Sequence, residues 1–241
     1  MANVYKEKFR LRVSDYDKLD QVLISSILDL CQDVAGKHAI ELGVGYDDMI
    51  VRDIIWMVVR TKVKIIKNPP FSSNVVVKTW PISPGRLDMD REYLILSEDE
   101  KEEYVRVTSK WVICSNTTRR LLRAKEAEFK IDSYLEDKLF NEAFDKVSFD
   151  ENKELKTSIV KTNYLDLDHN GHINNVKYAN FMMLGIEEIQ NKAIKNFQID
   201  YLHELKANED VVLNYYVENN TIYVKGSSLN EDSFIARIEI E

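Results

Sequence analysis

The order of periodic segments in this chain repeats, and that repetition constrains the fold more than any single motif. Residues 9–13 alternate like a strand, and residues 23–42 then put Leu23, Ile27, Leu28, Cys31, Val34, Ala35 and Leu42 at helical spacing. Residues 57–65 alternate with period two: Met57, Val59, Thr61, Val63 and Ile65 share one face, and Arg60, Lys62 and Lys64 the other, which predicts a strand half exposed to water. Strand-like runs follow at 75–80, 90–97 and 105–114. After a charged, mostly helix-compatible stretch at 124–149, the order returns as a strand at 155–164, a helix from 174 to about 192, and strands at 197–201, 211–217, 221–225 and 234–240. Asp15-Tyr16-Asp17 aligns with Asp166-Leu167-Asp168, 151 residues apart, and Val63-Lys64-Ile65 with Ile199-Asp200-Tyr201, 136 apart. A helix lying on a curved antiparallel sheet, twice, is an α+β architecture. It divides the chain into 1–125, a linker at 126–150, and 151–241.

The alignment isolates one difference between the copies. Asp17-Lys18-Leu19-Asp20-Gln21 stands opposite Asp168-His169-Asn170-Gly171-His172, so only the second copy carries Asn170 and His172. Its ten residues from Asp166 to Asn175 hold two carboxylates, three carboxamides and two imidazoles, a density of proton-transfer groups that reads as a reaction site. Two metal readings compete with that. Asp166-x-Asp168-x-Asn170-Gly171-x-Ile173 matches the opening of a calcium loop, but Lys177 stands where a bidentate Glu is required. His169 and His172 lack a second pair at zinc-ligand spacing, so no metal is expected. A turn at Asn170-Gly171 with Asn174 capping the following helix is compatible with chemistry in the same loop.

Composition narrows the class. No apolar run approaches the roughly 18 residues of a membrane helix, so no stable membrane insertion is expected. The N-terminal stretch has no secretion or transit pattern, and Cys31 and Cys114 are too few for a disulfide framework, which together predict a cytoplasmic protein with reduced thiols. A net charge of -8 gives no footprint for nucleic acid. The one basic cluster, Arg119-Arg120-Leu121-Leu122-Arg123-Ala124-Lys125, reads as a solvated linker on charge alone.

Asp168-His169-Asn170-Gly171-His172-Ile173-Asn174-Asn175-Val176-Lys177-Tyr178 resembles the Asp-x-Asn-x-His-Val-Asn-Asn-x-x-Tyr signature of acyl-acyl carrier protein (acyl-ACP) thioesterases. Trp56-Met57-Val58-Val59-Arg60 resembles the family's Trp-Val-Leu-x-Arg strand, Val77-Lys78-Thr79-Trp80 its Val-x-Thr-Trp turn, and Thr118-Arg119-Arg120 its Thr-Arg-Arg linker. The similarity spans nearly the whole chain in order. It implies a tandem hotdog fold, with a first domain that shapes the acyl channel, and hydrolysis of fatty acyl-ACP to free fatty acid in fatty acid biosynthesis, without a cofactor.

The resemblance also implies residue roles. Asp168, Asn170, His172 and Glu204 become the catalytic set, Asn170 donating to the thioester carbonyl while His172 and a carboxylate manage water and its protons. Either Asp168 or Glu204 can be the base. Trp56, Arg60, Asn174, Asn175 and Tyr178 become candidates for contact with substrate. Arg119, Arg120 and Arg123, with the Lys62-Lys64-Lys67 series, become candidates for steering an acidic carrier protein. Tyr201-Leu202-His203-Glu204-Leu205-Lys206 departs from the plant pattern by carrying Leu205 where those members have a Cys once proposed as nucleophile, and Leu cannot attack a thioester. A coenzyme A thioesterase and a non-catalytic acyl-binding hotdog protein remain as alternatives, and a homodimer is left open.

Overall fold

The structure, a computed structural model, describes residues 4–130 and 134–241, so Met1, Ala2, Asn3 and residues 131–133 of the charged stretch lie outside the described residues. The chain forms two compact units, Met1–Thr61 with Ile65–Ala143, and Lys62–Lys64 with Phe144–Glu241.

The first unit opens with β1 (Tyr5–Arg10), a turn, helix α1 (Ile24–Glu41) and a short α2 (Tyr46–Ile50), followed by β2 (Ile54–Ile65), β3 (Asn74–Pro81), β4 (Asp88–Ser97) and β5 (Glu103–Ser115). The strands lie in the order β1-β3-β4-β5-β2. Helix α1 turns Ile24, Ile27, Leu28, Cys31, Val34 and Ala35 inward, as the 3.6-residue spacing predicts, and packs along β3. Val75, Val77, Ile95, Val105 and Val107 of the sheet are at or near zero exposure. Each such side chain contributes about 1.5–3 kcal/mol by leaving water.

The second unit has β6 (Lys156–Lys161), helix α3 (Lys177–Gly185), β7 (Ile194–Tyr201), β8 (Asp210–Glu218), β9 (Thr221–Ser228) and β10 (Glu231–Ile240), in the spatial order β7-β10-β9-β8-β6. Replacing β1 to β5 by β6 to β10 turns one order into the other, read in reverse. The duplication inferred from element order is therefore a duplication of topology. The 136-residue offset carries the end of β2, Ile65, onto the end of β7, Tyr201.

Three expectations need correction. The second helix, expected from 174 to about 192, spans only Lys177–Gly185, with a single 3₁₀ turn at Glu187–Ile189 beyond it. Gly185 marks the reason: a β-carbon there would sit 2.5 Å from Leu213 Cδ1 and 2.8 Å from Ser158 Oγ, so the chain runs against β6 and β8 too closely for a helix to continue along the sheet. Ile186 instead adopts extended geometry and both it and Ile189 are fully buried. Second, Arg60 and Lys62 are buried rather than exposed, and in this part of β2 only Lys64 faces water. Period two identifies the faces of a strand but does not say what covers them.

Third, the helix-compatible stretch at 124–149 forms one 3₁₀ turn, Ala124–Ala127, and no α-helix among its described residues. Side chains take up its backbone groups instead. In the first unit Trp80 Nε1 donates to the Asp137 carbonyl at 2.9 Å, Arg106 donates to the Leu139 carbonyl at 3.3 Å, and Leu139 N–H donates to Glu92 at 3.3 Å. In the second, Val147 N–H donates to Asp200 at 2.6 Å and Gln198 to the Asp145 carbonyl at 2.7 Å.

Glu92 is 2% exposed, and burial pushes its carboxyl up to about 7 although Thr108 Oγ1 donates to it at 3.0 Å. Between about 4.5 and 7 the folded chain holds a proton that the unfolded chain has released, so this group lowers stability as pH rises through that window, by at most about 3 kcal/mol. Thermal unfolding of wild type and Glu92→Gln should show wild type losing ground to the variant from pH 5 to 7.5. Parallel pH profiles would refute the buried-carboxyl account.

Candidate active site

The polar stretch at 166–175 folds as a turn held by its own aspartates. Asp168 Oδ1 accepts from Asn170 N–H at 2.8 Å and His172 N–H at 3.1 Å, and Asp168 N–H donates to the His172 carbonyl at 2.7 Å. Gly171 takes a φ of +78°, where a glycine costs least. Leu167 and Ile173 pair as a small antiparallel bridge, and Asp166 accepts from Asn163 N–H at 2.8 Å.

The first unit builds the same turn. Asp17 Oδ1 accepts from Leu19 N–H at 2.8 Å and Gln21 N–H at 2.9 Å, and Asp17 N–H donates to the Gln21 carbonyl at 2.9 Å. Tyr16 bridges Val22, Asp20 takes the positive φ of 56°, and Asp15 accepts from Arg12 N–H at 2.6 Å. Every backbone feature is shared. What differs is the pair of side chains that the turn presents: Leu19 and Gln21 in one unit, Asn170 and His172 in the other.

Glu204 lies in the segment after β7. Its Oε1 is 3.8 Å from His172 Nδ1, within ion-pair reach but beyond a hydrogen bond, and both side chains keep access to solvent at 47% and 38% exposure. The equivalent position in the first unit, by the strand offset, is Asn68, which also reaches its loop: it accepts from Val22 N–H at 2.8 Å and donates to the Asp20 carbonyl at 2.6 Å. In both units this position therefore faces the turn. An imidazole, a carboxylate and an exposed carboxamide on a fixed loop are sufficient to orient a water, move its proton and donate to a carbonyl oxygen.

The remaining predicted residues are distributed as follows. Asn174 accepts from Val176 N–H at 3.1 Å; helix α3 begins at Lys177 with Val176 in the capping position, so Asn174 closes a turn ahead of the helix rather than capping it. The Asn175 carbonyl accepts from Tyr201 Oη at 3.3 Å. Tyr178 is 3% exposed, and its hydroxyl accepts from Leu205 N–H at 3.2 Å. Burial pushes that phenol up to about 12.

Trp56, in the first unit, donates from Nε1 to the Val44 carbonyl at 3.0 Å and sets its ring against Phe129 and edge-on to Trp111, beside the core cluster of Leu42, Val44, Met49 and Ile113. Arg60 is 7% exposed. The Thr118-Arg119-Arg120 segment is a tight turn returning on β5 rather than a linker. Asp53 accepts from Thr117 N–H at 2.9 Å and Ser115 Oγ at 2.6 Å, and Cys114 bridges Leu121. Arg119, Arg120 and Arg123 are exposed, and Arg123 lines a cavity of about 390 Å3 with Gly85, Arg86 and Lys125. Of the lysines considered for steering, Lys62 is buried and Lys67 pairs with Glu102 at 2.9 Å.

Sequence reasoning missed Tyr201 and the Asn68–Glu204 equivalence. The strand offset, extended three residues past the end of β7, was the signal for the second.

Asp17→Ala and Asp168→Ala should each lower unfolding free energy by about 1 kcal/mol, because each removes the acceptor for two backbone N–H groups. Only Asp168→Ala should also lower turnover. Equal losses of turnover in the two variants would contradict the division of roles.

The sequence pattern described as "Acyl-ACP thioesterase N-terminal domain" matches residues 2–130, and "Acyl-ACP thioesterase C-terminal domain" matches 149–241. The chain is 30% identical over 230 residues to the chloroplastic oleoyl-acyl carrier protein thioesterase of Coriandrum sativum, covering 86% of this chain and 61% of that protein. It is 28% identical over 216 residues to the palmitoyl-acyl carrier protein thioesterase of Arabidopsis thaliana, covering 83% and 52%. The chain thus spans about half to three fifths of the length of these curated relatives. In fold it is similar to an acyl-ACP thioesterase from Bacteroides thetaiotaomicron, with a TM-score of 0.84 at 20% identity over 99% of this chain and 98% of that one. It is also similar to the 12:0-ACP thioesterase of Umbellularia californica, at 0.82 and 22% over 100% and 98%. Two α+β hotdog units in tandem and both halves of the family pattern, matched in order, place this chain in the acyl-ACP thioesterase family.

Proposed function

We propose that the protein hydrolyses the thioester of fatty acyl-ACP, releasing free fatty acid and carrier thiol, with the chemistry on the 166–175 loop and Glu204. The observation that carries this reading is the 3.8 Å approach of Glu204 to His172 on a turn whose backbone is otherwise copied in the first unit. Water, held between the His172 imidazole and the Glu204 carboxylate, gives up a proton as its oxygen attacks the carbonyl carbon. Asn170 donates to the developing oxyanion, and the tetrahedral intermediate collapses to acid and thiolate, which takes up the proton that the water gave to the Glu204 carboxylate. Asp168 Oδ1 is occupied by two backbone N–H groups, which supports Glu204 as the base.

A cysteine nucleophile has little support. Cys31 is buried and burial pushes its thiol up, Cys114 is buried against Met57, and position 205 is Leu. Among the described residues no helix is long and apolar enough to cross a membrane, and two buried free thiols accord with a reducing cytoplasm.

Turnover of matched acyl-ACP and acyl-coenzyme A substrates tests the reading. His172→Ala and Glu204→Ala should each lower kcat by about 10²–10⁴-fold, and Asn170→Ala by about 10²–10³-fold. Full activity of His172→Ala and Asn170→Ala would remove the site assignment, and a strong preference for coenzyme A esters would remove the carrier as substrate.

The exposed Arg119, Arg120 and Arg123, with Arg86 and Lys125 at the cavity rim, are the carrier-docking candidates in this reading, because they offer local positive charge on a chain of net charge -8. Arg120→Glu and Arg123→Glu should lower kcat/KM on acyl-ACP several-fold at low salt, with the deficit shrinking as screening grows. No change at low salt would exclude this surface.

A further inference from the structure

Glu204 is held from both sides. Before it, Leu202 and His203 N–H groups both donate to the Ser233 carbonyl, at 2.9 and 3.2 Å, and His203 Nδ1 donates to the Asp232 carbonyl at 2.8 Å. After it, the buried Leu205 donates its N–H to Tyr178 Oη at 3.2 Å, and the Lys206 carbonyl accepts from Thr162 Oγ1 at 2.6 Å.

Tyr178 sits six residues past His172, on the helix that the reactive loop leads into. Tyr201, at the end of the strand that leads to Glu204, donates in the opposite sense to the Asn175 carbonyl at 3.3 Å. The two rings meet edge to face, 5.2 Å apart at 87°, and Tyr178 is also edge-on to Phe234 at 5.4 Å. The hydroxyls thus form two crossed links: helix α3 to the Glu204 segment, and β7 to the His172 loop.

The first unit supplies an internal control. By the loop offset Ile27 stands at the position of Tyr178, and by the strand offset Ile65 stands at Tyr201 and Pro69 at Leu205. That unit therefore has neither hydroxyl, and Pro69 has no N–H to donate. Core packing needs only the rings, for which Ile27, 0% exposed, serves in the first unit. The hydroxyls accompany Asn170, His172 and Glu204.

The geometry points to Tyr178 and Tyr201 as positioning residues, a reciprocal brace that sets the separation of His172 and Glu204 for thioester hydrolysis. This rests on the site reading above. A site of this kind loses rate steeply when its groups move by fractions of an ångström. The phenylalanine variants keep each ring and remove only the hydroxyl link.

The test is a double-mutant cycle on acyl-ACP turnover with Tyr178→Phe and Tyr201→Phe, each in wild-type and Glu204→Gln backgrounds, alongside thermal unfolding. The brace predicts a fall in kcat of about tenfold for either variant with KM within about twofold. In the Glu204→Gln background the same changes should cost less than about twofold, because the separation they govern no longer matters. Unchanged kcat in both tyrosine variants, or an equal fold-loss in both backgrounds, overturns the brace while leaving the site intact. Wild-type turnover in Glu204→Gln overturns the site reading and the brace with it. Should Tyr178→Phe fail to fold with Leu205 N–H unpartnered, Tyr201→Phe alone decides by the same criteria.

Discussion

One electrostatic device organises both halves of this protein: an aspartate that closes a turn by accepting two backbone N–H groups from residues two and four positions on. Asp17 does so in the first unit and Asp168 in the second, with matching distances. The turn brings the chain off its first strand and delivers it to the helix that covers the sheet. Because the carboxylate bonds only to main chain, the side chains at the second and fourth positions after it are free to vary. Leu19 and Gln21 can therefore become Asn170 and His172 without disturbing the fold. The duplication keeps the turn's backbone and changes the side chains it presents.

The same comparison shows what the carboxylates around the loop contact. Asp166 and Asp168 accept backbone N–H groups of the loop, as Asp15 and Asp17 do in the first unit. Glu204 and Asn68 occupy one topological position, but Asn68 binds the loop's backbone while Glu204 approaches the His172 ring. A carboxamide against main chain holds the loop, whereas a carboxylate near an imidazole has the groups that the proposed proton transfer needs. Evolution of a site on one copy of a duplicated fold would require few changes of this kind.

Much of the architecture was legible from periodicity. Helix α1 and the strands after it appear where apolar spacing puts them, because one face of each must leave water and its spacing in sequence is set by backbone geometry. The failures share a cause. Arg60 and Lys62 alternate as surface residues do yet are buried, the second helix stops at Gly185 where the sheet comes close, and the charged stretch at 124–149 accepts hydrogen bonds from the Trp80, Arg106 and Gln198 side chains. Each depends on a neighbour distant in the chain, which local pattern does not register.

For the site, the sequence by itself determined the candidates: Asn170 and His172 stood out because one copy of the repeat has them and the other does not. It also set aside the cysteine nucleophile once proposed for plant members, since Leu205 stands at that position. Only the tertiary structure decided that Glu204 lies near His172, that Asp168 accepts the turn's N–H groups, and that the Tyr178 hydroxyl accepts from Leu205 N–H. Residue identity limits which chemistry a position can do, whereas its neighbours in space select among those roles, and for His172, Glu204 and Tyr178 these neighbours lie some 30 residues away in the chain.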